Sequence, residues 1–243
     1  MRAYAITDIG KKRSLNEDYA YVTTDAVGRL PNLFVVADGM GGHRGGGYAS
    51  RMAVESILSE IEKSGLEEPA GILSEAICHA NECIRQAAQE DERLSGMGTT
   101  VVAATCADST LQVANVGDSR LYIADETSIR QITEDHSLVQ EMVRFGGISR
   151  EHPDRNIITR AVGVEDDLQV DCFLVPLKEG DRVLLCSDGL TGMLEDEEIY
   201  GILEGAGSVE ERALRLVEAA NDHGGKDNIA VIIMEPFSDE VSR

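Results

Sequence analysis

Apolar residues along this chain form short runs and stripes that predict its secondary structure. Short apolar and β-branched runs predict strands over 2–9, 19–24, 32–37, 99–106, 110–116, 119–124, 129–133, 169–175, 181–186 and 228–234. Apolar residues at helical spacing predict helices over 47–63, 71–90 and 137–145, and another that begins at Ser208. Glu211 lies three residues after Ser208, which is the signature of a capping box.

The order of these elements indicates the fold class. Strands occur in runs and helices in pairs, without regular alternation, which favours a mixed α+β fold over a doubly wound parallel sheet. The chain has no internal repeat, low-complexity linker or break in composition, so we expect one domain over residues 1–243. Turn residues interrupt the strand pattern at 137–160, which we interpret as an insertion or lid. Gly117-Asp118 lies between two predicted strands and is expected to form a tight hairpin turn.

Composition and charge narrow the class of protein. The formal net charge of −22 argues against nucleic acid as a partner, because phosphate backbones select Lys and Arg. The chain has no apolar run of about 18 residues and its start lacks a long apolar stretch, so we expect neither a membrane span nor a signal peptide. The five cysteines have no regular spacing, which indicates reduced thiols rather than a disulfide framework. These features predict a cytoplasmic protein.

Aspartates at predicted strand ends are the first indication of chemistry. Those that lie at a strand end or beside Gly or Asn are Asp18, Asp38, Asp118, Asp188 and Asp227. Taken singly, each is a typical turn residue. If the strand ends converge, each pair of carboxylates repels by about 4 kcal/mol at about 4 Å and an effective dielectric of about 20. Hard oxygen ligands of this kind suit Mg²⁺ or Mn²⁺, although spacing alone does not establish convergence.

Other sites that handle phosphate lack their signatures here. No cysteine is followed six positions later by arginine, as a cysteine-dependent phosphatase requires, and no Asp-x-Asp pair follows a buried strand, as an aspartyl-phosphate mechanism requires. The glycine-rich run 39–47 matches neither common nucleotide-binding fingerprint. Close packing, a phosphate-binding loop and a metal-site loop all stay open for this run. A nucleotide-binding module and a non-enzymatic cation-binding protein are therefore alternatives.

Seven segments, in order along the chain, resemble the motifs of the metal-dependent serine/threonine protein phosphatases of type 2C, in their compact bacterial form. They are 10–18 (GKKRSLNED), 36–43 (VADGMGGH), 96–100 (GMGTT), 115–120 (NVGDSR), 159–163 (TRAVG), 187–191 (SDGLT) and 226–229 (KDNI). One such segment is a weak signal, whereas seven at about the expected separations are specific. The resemblance implies a four-layer αββα sandwich in which two antiparallel sheets face each other and each is covered by a pair of helices. It also implies that 137–160 is a flap beside the site.

The resemblance further implies an activity and the residues for it. The activity is hydrolysis of phosphoserine and phosphothreonine in proteins by a metal-activated water, at a centre of two or three Mn²⁺ or Mg²⁺ ions. The implied partners are phosphorylated proteins, a bacterial serine/threonine kinase and its targets, and the enzyme is expected to be monomeric. The implied catalytic residues are Arg13, Asp38 and Asp188, and Arg13 binds the substrate phosphate. The implied metal ligands are Asp18 (through water, supported by Glu17), Asp38, the Gly39 carbonyl, Asp118, Asp188 and Asp227.

Some positions depart from the family pattern. Met40 stands where animal members have a His that looks like a general acid. His43 and His136 are candidates for that role, although a lone His in a loop is more often a solvated side chain. Gly192 stands where a second acid often follows the Ser-Asp-Gly motif, and the flap is a few residues short. A degenerate family member that binds a partner without turnover is therefore an alternative, against which the retained arginine and aspartates argue.

Overall fold

The computed structural model describes residues 1–41, 45–144 and 157–237. Within these residues the strands form two antiparallel sheets. The first sheet has the order β1-β11-β10-β7-β8, with β1 Arg2–Asp8, β11 Ile229–Glu235, β10 Arg182–Cys186, β7 Arg120–Ala124 and β8 Ile129–Gln131. The second sheet has the order β2-β3-β5-β6-β9, with β2 Asp18–Thr23, β3 Leu33–Met40, β5 Val101–Ala107, β6 Thr110–Val116 and β9 Asp171–Pro176. The short strand β4, Gly98–Thr99, pairs with the end of β3.

Helices cover the outer face of each sheet. The long pair α1 (Gly45–Lys63) and α2 (Pro69–Glu90) packs on the second sheet. On the first sheet lie α4 (Asp188–Thr191), α5 (Asp196–Glu204) and α6 (Val209–Asp222), and the short helix α3 is Leu138–Arg144. None of the helices in the described residues is long and apolar enough to cross a membrane.

Three hydrophobic cores separate the four layers, and alternation along each strand decides which core a side chain enters. In β3, Val35 packs towards α1 and α2, whereas Phe34 and Val36 pack between the two sheets. In β10, Leu185 points between the sheets and Leu184 towards the helices of the other side. Because the central strands β3 and β10 have helices on one face and a sheet on the other, their buried runs Leu33–Ala37 and Val183–Cys186 are apolar throughout. The predicted four-layer αββα sandwich is confirmed.

Most of the predicted elements are present with small changes at their ends. The capping box at the start of α6 is confirmed, since the Ser208 Oγ accepts from the Glu211 N–H at 3.2 Å and the Glu211 Oε2 accepts from the Ser208 N–H at 2.8 Å. Helix α5 was not predicted, because its first turn is acidic and only Ile199 and Leu203 are buried. At nine residues, the helix is also shorter than the window of about 11–18 residues over which a helical period is recognised.

The predicted hairpin at Gly117-Asp118 is wrong. Strand β6 pairs with β5 and β9 in the second sheet, whereas β7 pairs with β10 and β8 in the first sheet. The segment therefore crosses from one sheet to the other. Gly117 has φ +105°, and a Cβ there would lie 2.6 Å from the Cβ of Thr100, so the crossing passes tightly over the end of β5. The sequence of an apolar strand does not indicate which of the two sheets the strand joins.

The predicted lid lies partly outside the described residues. Its first part is α3, and Ser137 forms an isolated antiparallel bridge with Ile158. Residues 145–156, together with 42–44 and 238–243, are outside the described ranges.

Candidate metal centre

The five aspartates predicted from sequence lie at strand ends on one edge of the sandwich. Asp18 begins β2 and is the register partner of Asp38 on β3. Asp188 is the first residue of α4, directly after β10, and Asp227 lies just before β11, the neighbour of β10. Asp118 lies on the crossing from β6 to β7. Because the two sheets face each other, these strand ends meet across the interface between them.

The charges of neighbouring aspartates contribute to the pKa shifts of these carboxyls. Burial raises the pKa of Asp38 well above its usual range, and the charges of the other four aspartates raise it further. Burial, together with the charges of Asp188 and Asp227, raises the pKa of Asp18 to about 7, against the opposing hydrogen bond from Ser187. The strand-end aspartates are therefore near enough to act on one another electrostatically.

Burial and neighbouring carboxylate charges also raise the pKa values of Asp118 and Asp188. Burial and then the charges of Asp188 and Asp135 raise the pKa of Asp118 to about 8. Burial and then the charge of Asp227 raise the pKa of Asp188, although Arg13 and Arg120 oppose the shift. Without a bound cation, the fold therefore favours protonated carboxyls at this edge.

Several buried oxygen atoms of the centre have no hydrogen-bond partner. They are Asp18 Oδ1, Asp118 Oδ1 and Glu17 Oε1. A buried carboxylate oxygen without a partner is costly, and a hard divalent cation or its bound water would satisfy it. In residues 1–41, 45–144 and 157–237, no three His, Cys, Asp or Glu side chains form a ready ligand set for a metal ion. Mg²⁺ commonly keeps several waters and takes only one or two carboxylates, so the residues present fit hydrated hard cations.

Arg13 lies beside the acids, as predicted. Its Nη2 donates to Asp227 Oδ2 at 2.7 Å, and this bond is the main cause of the raised pKa of Arg13. The side chain is 48% exposed, and its bond to Asp227 through Nη2 leaves other N–H groups of the guanidinium directed at solvent. A planar guanidinium at the edge of the acid cluster is suited to bind phosphate oxygens.

The glycine-rich run packs closely against the chain. A Cβ on Gly46 would lie 2.5 Å from Glu17 Oε1 and 2.6 Å from the Gly39 carbonyl oxygen. A Cβ on Gly39 would in turn collide with the backbone of Gly46 and lie 2.7 Å from the Glu17 carbonyl oxygen. Of the three interpretations of this run, these contacts favour close packing between β3 and α1. Only small residues allow the helix to approach the strand end that bears Asp38.

Serine and threonine hydroxyls around the centre were not predicted. The Ser187 Oγ donates to Asp18 Oδ2 at 2.6 Å and accepts from the Ala230 N–H at 2.8 Å, which links β11 to the acid. The Thr100 Oγ accepts from the Asp38 N–H at 3.1 Å and contacts Ser119 Oγ at 2.7 Å. These residues lie in the motifs SDGLT, GMGTT and NVGDSR, which was the only sequence signal that could have identified them.

A model of one protein family matches almost the whole chain. The family is described as protein phosphatase 2C, and the match covers residues 10–229. The chain belongs to the protein phosphatase 2C family.

Individual proteins of the 2C family are similar over nearly their whole length. The serine/threonine phosphatase stp of Listeria welshimeri is 44% identical over 244 residues, which cover 97% of this chain and 96% of the relative. The crystal structure of serine/threonine phosphatase Stp1 from Staphylococcus aureus superposes with a TM-score of 0.89 at 36% identity, covering 97% of this chain and 95% of that one. The catalytic domain of PstP, solved in complex with two manganese ions, superposes with a TM-score of 0.84 at 33% identity and 96% coverage of both chains.

The two histidine candidates for the general acid of a 2C phosphatase have different outcomes. His136 is 7% exposed, its Nδ1 accepts from the Gly117 N–H at 3.0 Å, and its Nε2 lies 3.1 Å from Asp171 Oδ2. The single ring proton of the neutral His is therefore on Nε2 and is directed at Asp171, and burial lowers the pKa of His136. These contacts indicate a structural role for His136. His43 lies outside the described residues.

Gly192, four residues after Asp188, ends the short helix α4. Its N–H donates to the Asp188 carbonyl at 2.7 Å, and a Cβ there would lie 2.9 Å from the same oxygen. The tight end of α4 therefore favours glycine at this position, which provides no carboxylate.

Proposed function

We propose that this chain hydrolyses phosphoserine and phosphothreonine esters in proteins at a centre of Mn²⁺ or Mg²⁺ ions. The observation that supports this most directly is the meeting of five aspartates beside Arg13, with buried carboxylate oxygens that lack partners. The substrate class is supported by relatives named serine/threonine phosphatases. A centre of at least two ions is supported by the PstP domain solved with two manganese ions.

Each acid has a proposed place at the centre. Asp38, near the other four aspartates, would bridge two ions, and the Gly39 carbonyl would complete one of them. Asp188 and Asp227 would hold the other ion, and Asp118 would join Asp188 at a third, weaker site. Asp18 would act through water, because Ser187 already occupies one of its oxygens at 2.6 Å.

The size of the barrier explains why such a centre is needed. Phosphate monoesters hydrolyse so slowly that enzymes accelerate the reaction by up to about 10²¹-fold, whereas acid–base catalysis contributes only about 10²–10⁴-fold. Bound Mn²⁺ or Mg²⁺ ions would lower the pKa of a water molecule and neutralise charge that develops on the phosphoryl group.

Protein side chains would hold the phosphoryl group of the substrate in place while the water molecule attacks it. Arg13 would bind two phosphoryl oxygens with its planar guanidinium, and its bond to Asp227 at 2.7 Å would keep it beside the centre. Arg13, Asp38 and Asp188 are thus the proposed catalytic residues. Positioning the phosphoryl group is a large part of catalysis, because little covalent chemistry falls to the protein.

The surroundings of the enzyme belong to the proposal as well. Its substrates would be a serine/threonine kinase and the proteins that this kinase phosphorylates. The enzyme would act on them in the cytoplasm. A net charge of −22 is unfavourable for binding nucleic acid. We further propose that the chain acts as a monomer with a single catalytic domain over residues 1–243.

Hydrolysis of synthetic phosphopeptides tests this proposal. Phosphoserine and phosphothreonine peptides should be hydrolysed faster than a phosphotyrosine peptide when Mn²⁺ or Mg²⁺ is present, and chelator should abolish the activity. Asp188→Asn should lower kcat by at least about 10²-fold without unfolding the protein, because it removes a ligand that is used in the transition state. Asp181→Asn is the matched control, since Asp181 is also a largely buried acid that adjoins β10, but at the opposite end of that strand from Asp188. Full activity in chelator would refute the metal mechanism, and near-normal activity of Asp188→Asn would refute the role of that residue.

A further inference from the structure

The loop that bears Arg13 is held by the segment just before β11. This loop, residues 9–17, connects β1 to β2 and is here named the Arg13 loop. The N–H groups of Lys11 and Lys12 both donate to the Gly225 carbonyl, at 2.8 and 3.1 Å. The loop thus rests on the same segment that presents Asp227.

One buried side chain closes both ends of this loop. Asn228 is 4% exposed, and its Nδ2 donates to the carbonyls of Ile9 and Leu15, both at 2.9 Å. Its Oδ1 accepts from the Glu17 N–H at 2.8 Å. Both amide hydrogens and the amide oxygen are therefore bonded to the backbone of a segment more than 200 positions away in sequence.

Asparagine suits this position for a chemical reason. The loop presents two acceptors and one donor to the same point, and a primary amide has the matching two donors and one acceptor. An aspartate side chain would supply the acceptor but neither of the two donors. A hydrophobic residue would leave three buried backbone groups without partners.

We infer that Asn228 is a positioning residue that holds the Arg13 loop, and with it the guanidinium, at the distance from Asp227 at which Arg13 can bind the substrate phosphate. The inference rests on the proposed role of Arg13. The Arg13 guanidinium is half-exposed, and it is 2.7 Å from Asp227 Oδ2. The position of the loop backbone therefore determines which of its N–H groups face solvent. Asn228 adjoins Asp227, and its own N–H donates to Asp227 Oδ1 at 2.8 Å, so one residue fixes both partners of the ion pair.

Hydrogen exchange of the full-length protein tests the structural half of the inference. In Asn228→Ala, the amides of Lys11, Lys12 and Glu17 should exchange at least about tenfold faster, because the loop opens locally. In Asn228→Asp, which keeps the acceptor, the Glu17 amide should stay protected while those of Lys11 and Lys12 exchange faster. This second variant keeps the test decisive if Asn228→Ala does not fold.

Asn32→Ala is the matched control. Asn32 is also 4% exposed, and its amide makes paired bonds of 2.8 Å with the N–H and carbonyl of Cys106, far from the acids. This variant should lose stability without changing exchange in the Arg13 loop. Unchanged exchange of the loop in both Asn228 variants would overturn the inference.

Kinetics test the functional half. Asn228→Ala should raise KM for a phosphothreonine peptide about tenfold and change kcat by less than about threefold, which is the effect of weakened phosphate binding. In an Arg13→Ala background, Asn228→Ala should add little further to KM, since the group that it positions is gone. An equal rise of KM in both backgrounds would overturn the inference.

The same experiment separates the inference from the proposed function. If Arg13→Ala alone raises KM and Asn228→Ala does not, only the inference fails. If Arg13→Ala leaves KM unchanged, the proposed role of Arg13 fails, and the positioning inference fails with it.

Discussion

Replacing Asp118 by Asn should stabilise the metal-free protein, even though Asp118 is a proposed metal ligand. The side chain keeps its shape and loses its charge. Burial, with the charges of Asp188 and Asp135, raises the pKa of Asp118 from 3.8 to about 8. The folded state therefore binds a proton that the unfolded chain releases.

The sign and size of the effect follow from this difference in pKa. A raised pKa in the folded state gives stability that is complete below the unfolded pKa of 3.8 and is lost as pH rises towards about 8. Each pH unit in this range costs about 1.4 kcal/mol, which sets a ceiling of about 4 kcal/mol at about pH 7. Water entry and relaxation around the charge reduce the expected gain of Asp118→Asn to about 2 kcal/mol. For a chain of this length, that is a rise in Tm of about 4–8 °C.

Thermal unfolding in chelator, followed by circular dichroism, measures the effect. The advantage of Asp118→Asn over the wild-type protein should be small near about pH 5 and grow towards about pH 8. Saturating Mn²⁺ should reduce it, because a bound cation stabilises the charged form of Asp118. Asp181→Asn is the control, since Asp181 is similarly buried at 9% exposure, but its Oδ2 accepts from the Lys178 N–H at 2.8 Å. If Asp118→Asn gains no stability in chelator, or gains the same amount at every pH, the electrostatic account of the centre is wrong.

Two further predictions concern substrate binding and packing. Arg13→Ala should raise KM for phosphopeptides about tenfold or more with a smaller change in kcat. Arg13→Lys should recover part of the loss, because it keeps the charge without the planar guanidinium. An unchanged KM in steady-state assays would exclude phosphate binding by Arg13. Gly46→Ala should destabilise the protein by about 1–3 kcal/mol in urea unfolding, because its Cβ would lie 2.5 Å from Glu17 Oε1. Gly65→Ala, where a Cβ would meet no atom within 4 Å, should be close to neutral. Equal stability of the two glycine variants would contradict the close-packing role of the glycine-rich run.

Features that depend on residues close together in the chain could be predicted from the sequence. Alternation and helical spacing located most strands and the long helices, since a strand or helix buries the same face wherever it packs. Ser208 and Glu211 identified the start of α6, because a capping box is complete within one turn of helix. Asp38 and Asp188 were the most informative acids in the sequence, since each follows an apolar run that predicts a buried strand.

Pairing across the molecule was not open to prediction from local pattern. The segment Gly117-Asp118 has the sequence of a hairpin turn but connects two different sheets, because an apolar strand fits either one. Asn228 follows a proposed ligand in sequence, yet its contacts with Ile9, Leu15 and Glu17 depend on where the chain returns. Helix α5 is stabilised by packing on the first sheet rather than by its own periodicity.

The sequence by itself determined which side chains this protein has for binding cations and phosphate, and it determined the strand ends at which they lie. Only the tertiary structure decided that five aspartates from both sheets share one edge, where burial and mutual repulsion raise the pKa values of four of them. The physical reason is range. Secondary structure depends on neighbours within a few residues, whereas the repulsion that favours a cation depends on distances in space between residues as far apart in sequence as 18 and 227.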